Sequence, residues 1–362
     1  MMPDLAIRAP RILIIRLSAL GDVVMASGLI PSLRSLHPTA HLAWLCEPAA
    51  APLLAHNPNL DEVIVWPKEQ WKALAKARQW PSLLKEIRAF RQSLKAQQFD
   101  LVLDTQGLFK SGIWAWLTKA PRRISLGGRE GSQCMATEVL SAPPESDARM
   151  GKEYRQLARH LGARDDAFVP QIIPGPAAQA RALQTLADAG VLVGTQANFA
   201  VVCPFTTRPQ KHWFAEHWQT VFEGLAAQSI HIVMLGGPAD QAAAADLCRN
   251  GKSKGKGVIN LVGKLKIHES AAVIAQCKVL IGVDTGLTHM GSAFKRPTVA
   301  IFGSTCPYLD AGSSLTRVIY DALPCSPCHR HPSCHQRFDC MRQIDADRVL
   351  RVASDLMKQH PA

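Results

Sequence analysis

The segment Ile281–Gly303, IGVDTGLTHMGSAFKRPTVAIFG, constrains the fold of this 362-residue chain more than any other. An apolar run ends in Asp284, a Thr-Gly step follows, a short amphipathic stretch begins, and a second apolar run closes at Gly303. In an α/β protein that order is strand, turn, helix, strand, with Asp284, Thr285 and Gly286 at a strand's carboxyl end and a helix's amino end. Backbone N–H groups and the positive end of the helix dipole collect there, so the position suits a phosphate or diphosphate. Gly286 leaves room for close backbone approach, and the Thr285 hydroxyl can add a hydrogen bond. The same tripeptide also serves as an ordinary strand-to-helix turn with a capping Asp.

The first half of the chain alternates β and α patterns. Strands are expected at 11–17, 41–46, 62–66 and 101–103, the last running into Asp104, with helices at 23–36, 81–97 and 108–119. The second half repeats the rhythm after a Pro- and Ala-rich passage, with strands at 199–203, 231–235, 279–283 and 298–302. This alternation predicts parallel sheets with helices on both faces: an α/β fold of two doubly wound domains, with ligands in a cleft between their carboxyl edges. No strand-turn-helix carries GxGxxG, and no GxxxxGK[ST] is present, which argues against a dinucleotide oxidoreductase and a P-loop NTPase.

Lys and Arg number 41 against 29 Asp and Glu, a net charge of +12, which favours anionic partners. The positive charge reads as scattered apart from Lys252, Lys254 and Lys256 in a Gly/Ser-rich loop. Three Tyr and no basic-aromatic motif disfavour a nucleic-acid reader. No apolar run reaches the roughly 18 residues that span a bilayer, and the amino-terminal apolar stretch is interrupted by Arg16, a poor export signal. Ten cysteines without such a signal predict reduced thiols in the cytosol and only peripheral work at a membrane.

Four of those cysteines, Cys325, Cys328, Cys334 and Cys340, fall within 16 residues, with His329, His331 and His335 interleaved. That spacing suits a tetrahedral thiolate site for structural zinc or iron, or else a reduced metal-free loop. The polar residues expected at the carboxyl edges are Ser18, Asp22, Asp104 and Lys110 in the first half, and Thr206, Thr207, Arg208, Lys211 and Asp284–Gly286 in the second. Phosphate binders facing an acid suit an enzyme that joins a nucleotide-bound group to an acceptor.

With those residues assembled, the chain resembles the ADP-heptose lipopolysaccharide heptosyltransferases of glycosyltransferase family 9. RLSALGDVVMASGLIPSLR, LVLDTQGLFKSG, CPFTTRPQKHWFAEHW and IGVDTGLTHMGSAFKRPTVAIFGST carry the match in the family's order, from about Arg16 to Thr305. The resemblance implies a GT-B fold: an acceptor-binding Rossmann-like domain over 1–175, a nucleotide-sugar domain over 176–343, and a C-terminal helix within 344–362 that crosses back to the first domain. It implies an inverting transfer of heptose from ADP-heptose to an inner-core lipopolysaccharide sugar, without a catalytic metal, at the cytoplasmic face of the inner membrane. Asp22 would be the general base, with helix capping the alternative role for its position. Lys211 would stabilise the departing diphosphate with Thr206, Thr207 and Arg208. Thr285 and Gly286 would bind the diphosphate, Asp284 would hold a sugar hydroxyl or order the loop, and Leu265 would pack on adenine. Lys110, Arg122, Arg123 and Arg129 are candidate acceptor contacts. In place of the acidic residue that family members often carry after the strand ending at Leu235, the chain has Gly236-Gly237-Pro238-Ala239-Asp240, so either Asp240 substitutes for the ribose contact or that contact is lost. Alternatives are a protein-modifying, autotransporter-type heptosyltransferase, a non-catalytic binding module on the same scaffold, and a nucleotide-sugar epimerase.

Overall fold

The computed structural model describes residues 8–191, 193–194, 197–249, 257–328 and 331–359. Lys252, Lys254, Lys256 and His329 lie outside the described residues. The chain forms two compact units, Met1–Asp147 with Lys152–Ile173, and Ala148–Gly151 with Pro174–Ala362. Each is built on one parallel six-stranded sheet.

In the first unit the strands are β1 (Arg11–Ile15), β2 (His41–Cys46), β3 (Glu62–Val65), β4 (Leu101–Asp104), β5 (Arg122–Leu126) and β6 (Glu138–Leu140), in the order β3-β2-β1-β4-β5-β6. In the second they are β7 (Phe199–Cys203), β8 (His231–Met234), β9 (Val258–Asn260), β10 (Val279–Val283), β11 (Thr298–Phe302) and β12 (Thr316–Tyr320), in the order β12-β11-β10-β7-β8-β9. The two orders are the same once the second set is renumbered from its first strand. In both sheets the strand order reverses between the first and fourth strands, β1/β4 and β7/β10, and ligands of doubly wound sheets bind outside the carboxyl ends there. β1, β7, β10 and β11 are almost wholly buried, which their unbroken apolar runs require.

One expectation is corrected. The helix expected over 23–36 is two helices, Leu20–Ala26 and Leu29–Leu36. The break falls where the Ser27 hydroxyl donates to Val24 O and accepts from Gln171 N, and where Phe168 packs so close that a Cβ on Gly28 would lie 2.6 Å from its ring. The C-terminal helix, Ala346–Gln359, packs within the second unit. Its Val349, Ala353, Leu356 and Met357 share one core with Val221, Phe222, Ile281 and Ile301, because its apolar stripe matches the face left by the Ala215–Ala227 helix and by β10 and β11. Strands β5, β6, β9 and β12 escaped the sequence pattern because they are edge or near-edge strands with mixed, half-exposed side chains.

Candidate functional site

At the carboxyl edge of β1 the chain turns directly into the Leu20–Ala26 helix, which places Asp22 in its first turn. Asp22 Oδ2 accepts from Ala19 N at 3.3 Å and lies 2.5 Å from Arg16 Nη2. Arg16 is nearly buried while the Asp22 side chain is 37 % exposed. Its guanidinium also donates to Thr105 O at 2.8 Å, so it ties the β1 loop to the β4 loop and fixes one oxygen of Asp22. The carboxylate is thus anchored from below and open from above. Beside it, Lys110 Nζ lies 3.2 Å from Ser18 Oγ and 3.4 Å from Glu47 Oε1, and Lys68 Nζ approaches the same Glu47 oxygen at 3.0 Å. Asp104, at the end of β4, is buried, and its Oδ1 accepts from Gln106 N and Gly107 N. Burial pushes its pKa up, against hydrogen bonds from Ser111 and those two amides.

Arg129 follows β5 on the same edge, with its N–H on Gly107 O at 2.8 Å. Gly107 is at φ +61, and a Cβ there would strike Leu126 O at 1.9 Å, so glycine is required for this approach. Arg122 and Arg123 lie elsewhere. They begin β5, in register with Leu101 and Val102, and so occupy the amino edge of the sheet. Arg122 pairs with Glu138 at 3.1 Å, and Arg123 donates to Met135 O and Ala120 O.

In the second unit, the loop after β7 carries Thr206, Thr207 and Arg208 and ends in a single turn, Pro209–Lys211. His212 Nε2–H donates to Thr206 O at 2.8 Å and closes that loop on itself. Because β10 lies next to β7, Asp284 stands beside this turn, and Lys211 Nζ meets Asp284 Oδ2 at 2.6 Å. Thr305 Oγ1 donates to the same oxygen, His289 Nε2 lies 3.2 Å from Oδ1, and the Tyr308 hydroxyl is 2.9 Å from His289 Nδ1. Burial alone would raise the Asp284 pKa. Hydrogen bonding and charge from His289, then from Lys211, outweigh it and hold the carboxyl well below the usual range. Thr285 is the N-cap of the Gly286–Ala293 helix, so its first amides point to the same edge. Asp240 Oδ2 accepts from Gly237 N at 2.8 Å, and Leu265 is half-buried in the turn beyond β9.

Arg16, Glu47, Lys68, His289, Thr305 and Tyr308 were not among the residues singled out from sequence. The nearest signal was His289, five residues after Asp284 on the helix that Gly286 opens.

The four clustered cysteines are free thiols. Among the described residues no group of three or more His, Cys, Asp or Glu is placed to hold a metal ion. Cys340 is a core residue, 5 % exposed, packed with Met341 against Gly303. Burial, then the neighbouring Cys328, Cys325 and Cys334, push its thiol up to about 11.

A family model described as glycosyltransferase family 9 (heptosyltransferase) matches residues 87–338. The chain belongs to glycosyltransferase family 9. It is 28 % identical over 318 residues to lipopolysaccharide heptosyltransferase 1 of Escherichia coli K12, covering 85 % of this chain and 92 % of that protein. It is 27 % identical over 336 residues to lipopolysaccharide heptosyltransferase 1 of Pseudomonas aeruginosa, covering 90 % and 88 %. Among solved structures, a glycosyltransferase family 9 protein of Veillonella parvula superposes with a TM-score of 0.82 at 20 % identity, covering 98 % of this chain and 99 % of that one. E. coli heptosyltransferase WaaC with ADP-2-deoxy-2-fluoro heptose gives a TM-score of 0.68 at 24 % identity, covering 95 % and 99 %. These likenesses establish the fold as the two-unit GT-B arrangement of this family.

Proposed function

We propose that the protein is an inverting heptosyltransferase that moves heptose from ADP-heptose to an inner-core lipopolysaccharide sugar. The observation that carries this reading is the Lys211–Asp284 pair, set by adjacent strands at the β7/β10 switch point beside a helix amino end. In this reading Asp284 is a positioning residue: it holds Lys211 where the diphosphate charge grows. The Thr285–Gly286 amides and Thr206, Thr207 and Arg208 share that charge, so leaving-group departure uses fixed protein donors rather than a divalent cation. Leu265 lies against the base, and Asp240, engaged with Gly237 N, orders the loop for the ribose.

Asp22 serves as general base. One carboxylate oxygen is committed to Arg16, and the exposed side chain takes the proton of the attacking acceptor hydroxyl. Lys110 and Arg129, on the same edge, match the carboxylates and phosphates of an inner-core acceptor. Arg122 and Arg123 have no part in this reading, since they occupy the opposite edge. The protein works at the cytoplasmic face of the inner membrane in peripheral contact with it. No described helix is long and apolar enough to cross a membrane. The test is ADP release from ADP-heptose, with and without heptose-deficient lipopolysaccharide. Release that requires acceptor and disappears in Asp22→Ala supports the reading; no release with any core acceptor sinks it.

A further inference from the structure

The positive charge of the chain is not scattered. Residues 68–96 hold eight Lys and Arg against two Glu, a net +6 and so half of the whole chain's +12. They form two packed helices, Lys68–Lys76 and Trp80–Ala96. Lys68 pairs with Glu47 and Lys72 with Glu69, but Lys76, Arg78, Lys85, Arg88, Arg91 and Lys95 have no ion-pair partner among the described residues.

The longer helix shows how that charge is presented. Leu83, Ile87, Phe90 and Leu94 pack on the first unit's core. Trp80, Leu84, Arg88, Arg91 and Lys95 fall in an arc of about 80° beside that face, at about 100° per residue. All five are exposed, Trp80 by 56 % and Leu84 by 51 %. The neighbouring Phe109–Leu117 helix, joined through Phe90 and Trp114 with ring centroids 5.1 Å apart, adds Trp116, which is 44 % exposed with Lys119 Nζ 3.8 Å over its ring. Unburied Trp and Leu side chains lose apolar stabilisation in water, and unpaired cations beside them repel one another. Both costs reverse on one kind of surface, where lipid headgroups are anionic and an indole or a leucine can enter the interface while Arg and Lys reach phosphate.

We infer that the outer face of the Trp80–Ala96 and Phe109–Leu117 helices docks on an anionic phospholipid bilayer. This rests on the proposed function, in which the acceptor is lipid-borne. The geometry suits such an acceptor. The Trp80–Ala96 helix leads back into β4 and so runs antiparallel to the strands, which brings its amino end, with Trp80 and Leu84, toward the sheet edge that carries Lys110. Phe109, 49 % exposed, opens its own helix at that same edge.

The test uses the full chain and sedimentation with vesicles of phosphatidylglycerol and phosphatidylethanolamine, against phosphatidylcholine alone. The wild type should partition to the anionic vesicles and not to the neutral ones. The triple variant Arg88→Glu, Arg91→Glu, Lys95→Glu should lose partition by on the order of a hundredfold, and Trp80→Ser with Leu84→Ser should lose on the order of tenfold or more. Both variants should transfer heptose to a deacylated, soluble core acceptor at the wild-type rate. Equal partition of the triple variant and wild type overturns the inference, as does a wild type that ignores anionic vesicles but binds heparin through the same cations. Failure of transfer to the soluble acceptor by the wild type would instead overturn the proposed function, and the vesicle result would be read by itself.

Discussion

Asp104 and Asp284 are topological counterparts. Each ends the fourth strand of a sheet with the same strand order, and each is buried. Their surroundings differ in one respect: which groups face the carboxylate. Asp104 is met by backbone amides and a serine, with the charge of Arg16 further off, and burial wins, so its pKa rises. Asp284 is met by His289, Lys211 and Thr305, and these overcome the same burial penalty, so its pKa falls. Burial sets the size of the penalty, and the donors supplied by neighbouring loops set its sign. The first unit spends its cation, Arg16, on a different and more exposed acid, Asp22; the second concentrates cation and acid in one buried pair. Both oxygens of the second carboxylate are therefore engaged, while the first carboxylate stays 37 % exposed.

Lys211→Ala should give the largest effect. Loss of the ammonium should lower the rate of acceptor-dependent ADP release by about a thousandfold. It should also lower the urea midpoint, since Asp284 would keep its burial and lose a counter-charge. A variant as stable as wild type would break the claim that this pair is one structural and catalytic unit.

Asp284→Asn should follow, costing about 3 kcal/mol of unfolding free energy at pH 7 by leaving Lys211 without a countercharge. Because the folded pKa of Asp284 lies below its unfolded value of about 3.9, its contribution is fully present above that value and is lost as pH falls through the folded pKa. Wild type and Asp284→Asn should then converge in stability only in strong acid, a comparison that urea titrations from pH 7 down to pH 3 would begin to trace.

Asp22→Asn separates the two sites. Turnover should fall by about a hundredfold, as for loss of a general base. Stability should fall by less than for Asp284→Asn, because the introduced amide keeps an acceptor for Arg16 and the position is 37 % exposed. A large drop in the denaturation midpoint with modest loss of turnover would mean that Asp22 serves as a helix cap and that the base lies elsewhere.

Much of this contrast was legible in the sequence, and unevenly. Strands such as Phe199–Cys203 and Val279–Val283 coincide with their apolar runs because a strand buried on both faces leaves no polar positions to confuse the pattern. Lys211 and Asp284 stand out because each sits where a strand-end loop meets a helix start. Arg16 did not: it reads as an interruption of an apolar stretch, and its role depends on Thr105 and Asp22, of which the first is 89 residues away. His289 and Tyr308 belong to Asp284 only once the Gly286–Ala293 helix turns the imidazole back over the strand end. The charge at 68–96 reads as part of a scatter in the sequence, because which cations share a face with Trp80 and Leu84 is a property of the helix. The cysteine spacing groups four thiols in sequence but carries no information on which of them, such as Cys340, the core buries.

The smallest expected effect tests the comparison most directly. Asp104→Asn keeps an acceptor oxygen for Gln106 N and Gly107 N and removes a charge that burial opposes. Its stability at pH 7 should lie within about 1 kcal/mol of wild type or slightly above it, where Asp284→Asn loses several times as much. The pH dependence should be reversed as well. With a folded pKa above the unfolded value, wild-type Asp104 penalises folding as pH rises from about 4 through that folded pKa, and the variant should lose this slope. Urea midpoints for wild type and variant between pH 4 and pH 8 would read it. If Asp104→Asn costs as much as Asp284→Asn, then Arg16 reaches across to Asp104 as a true counter-ion, and the two strand ends are alike after all.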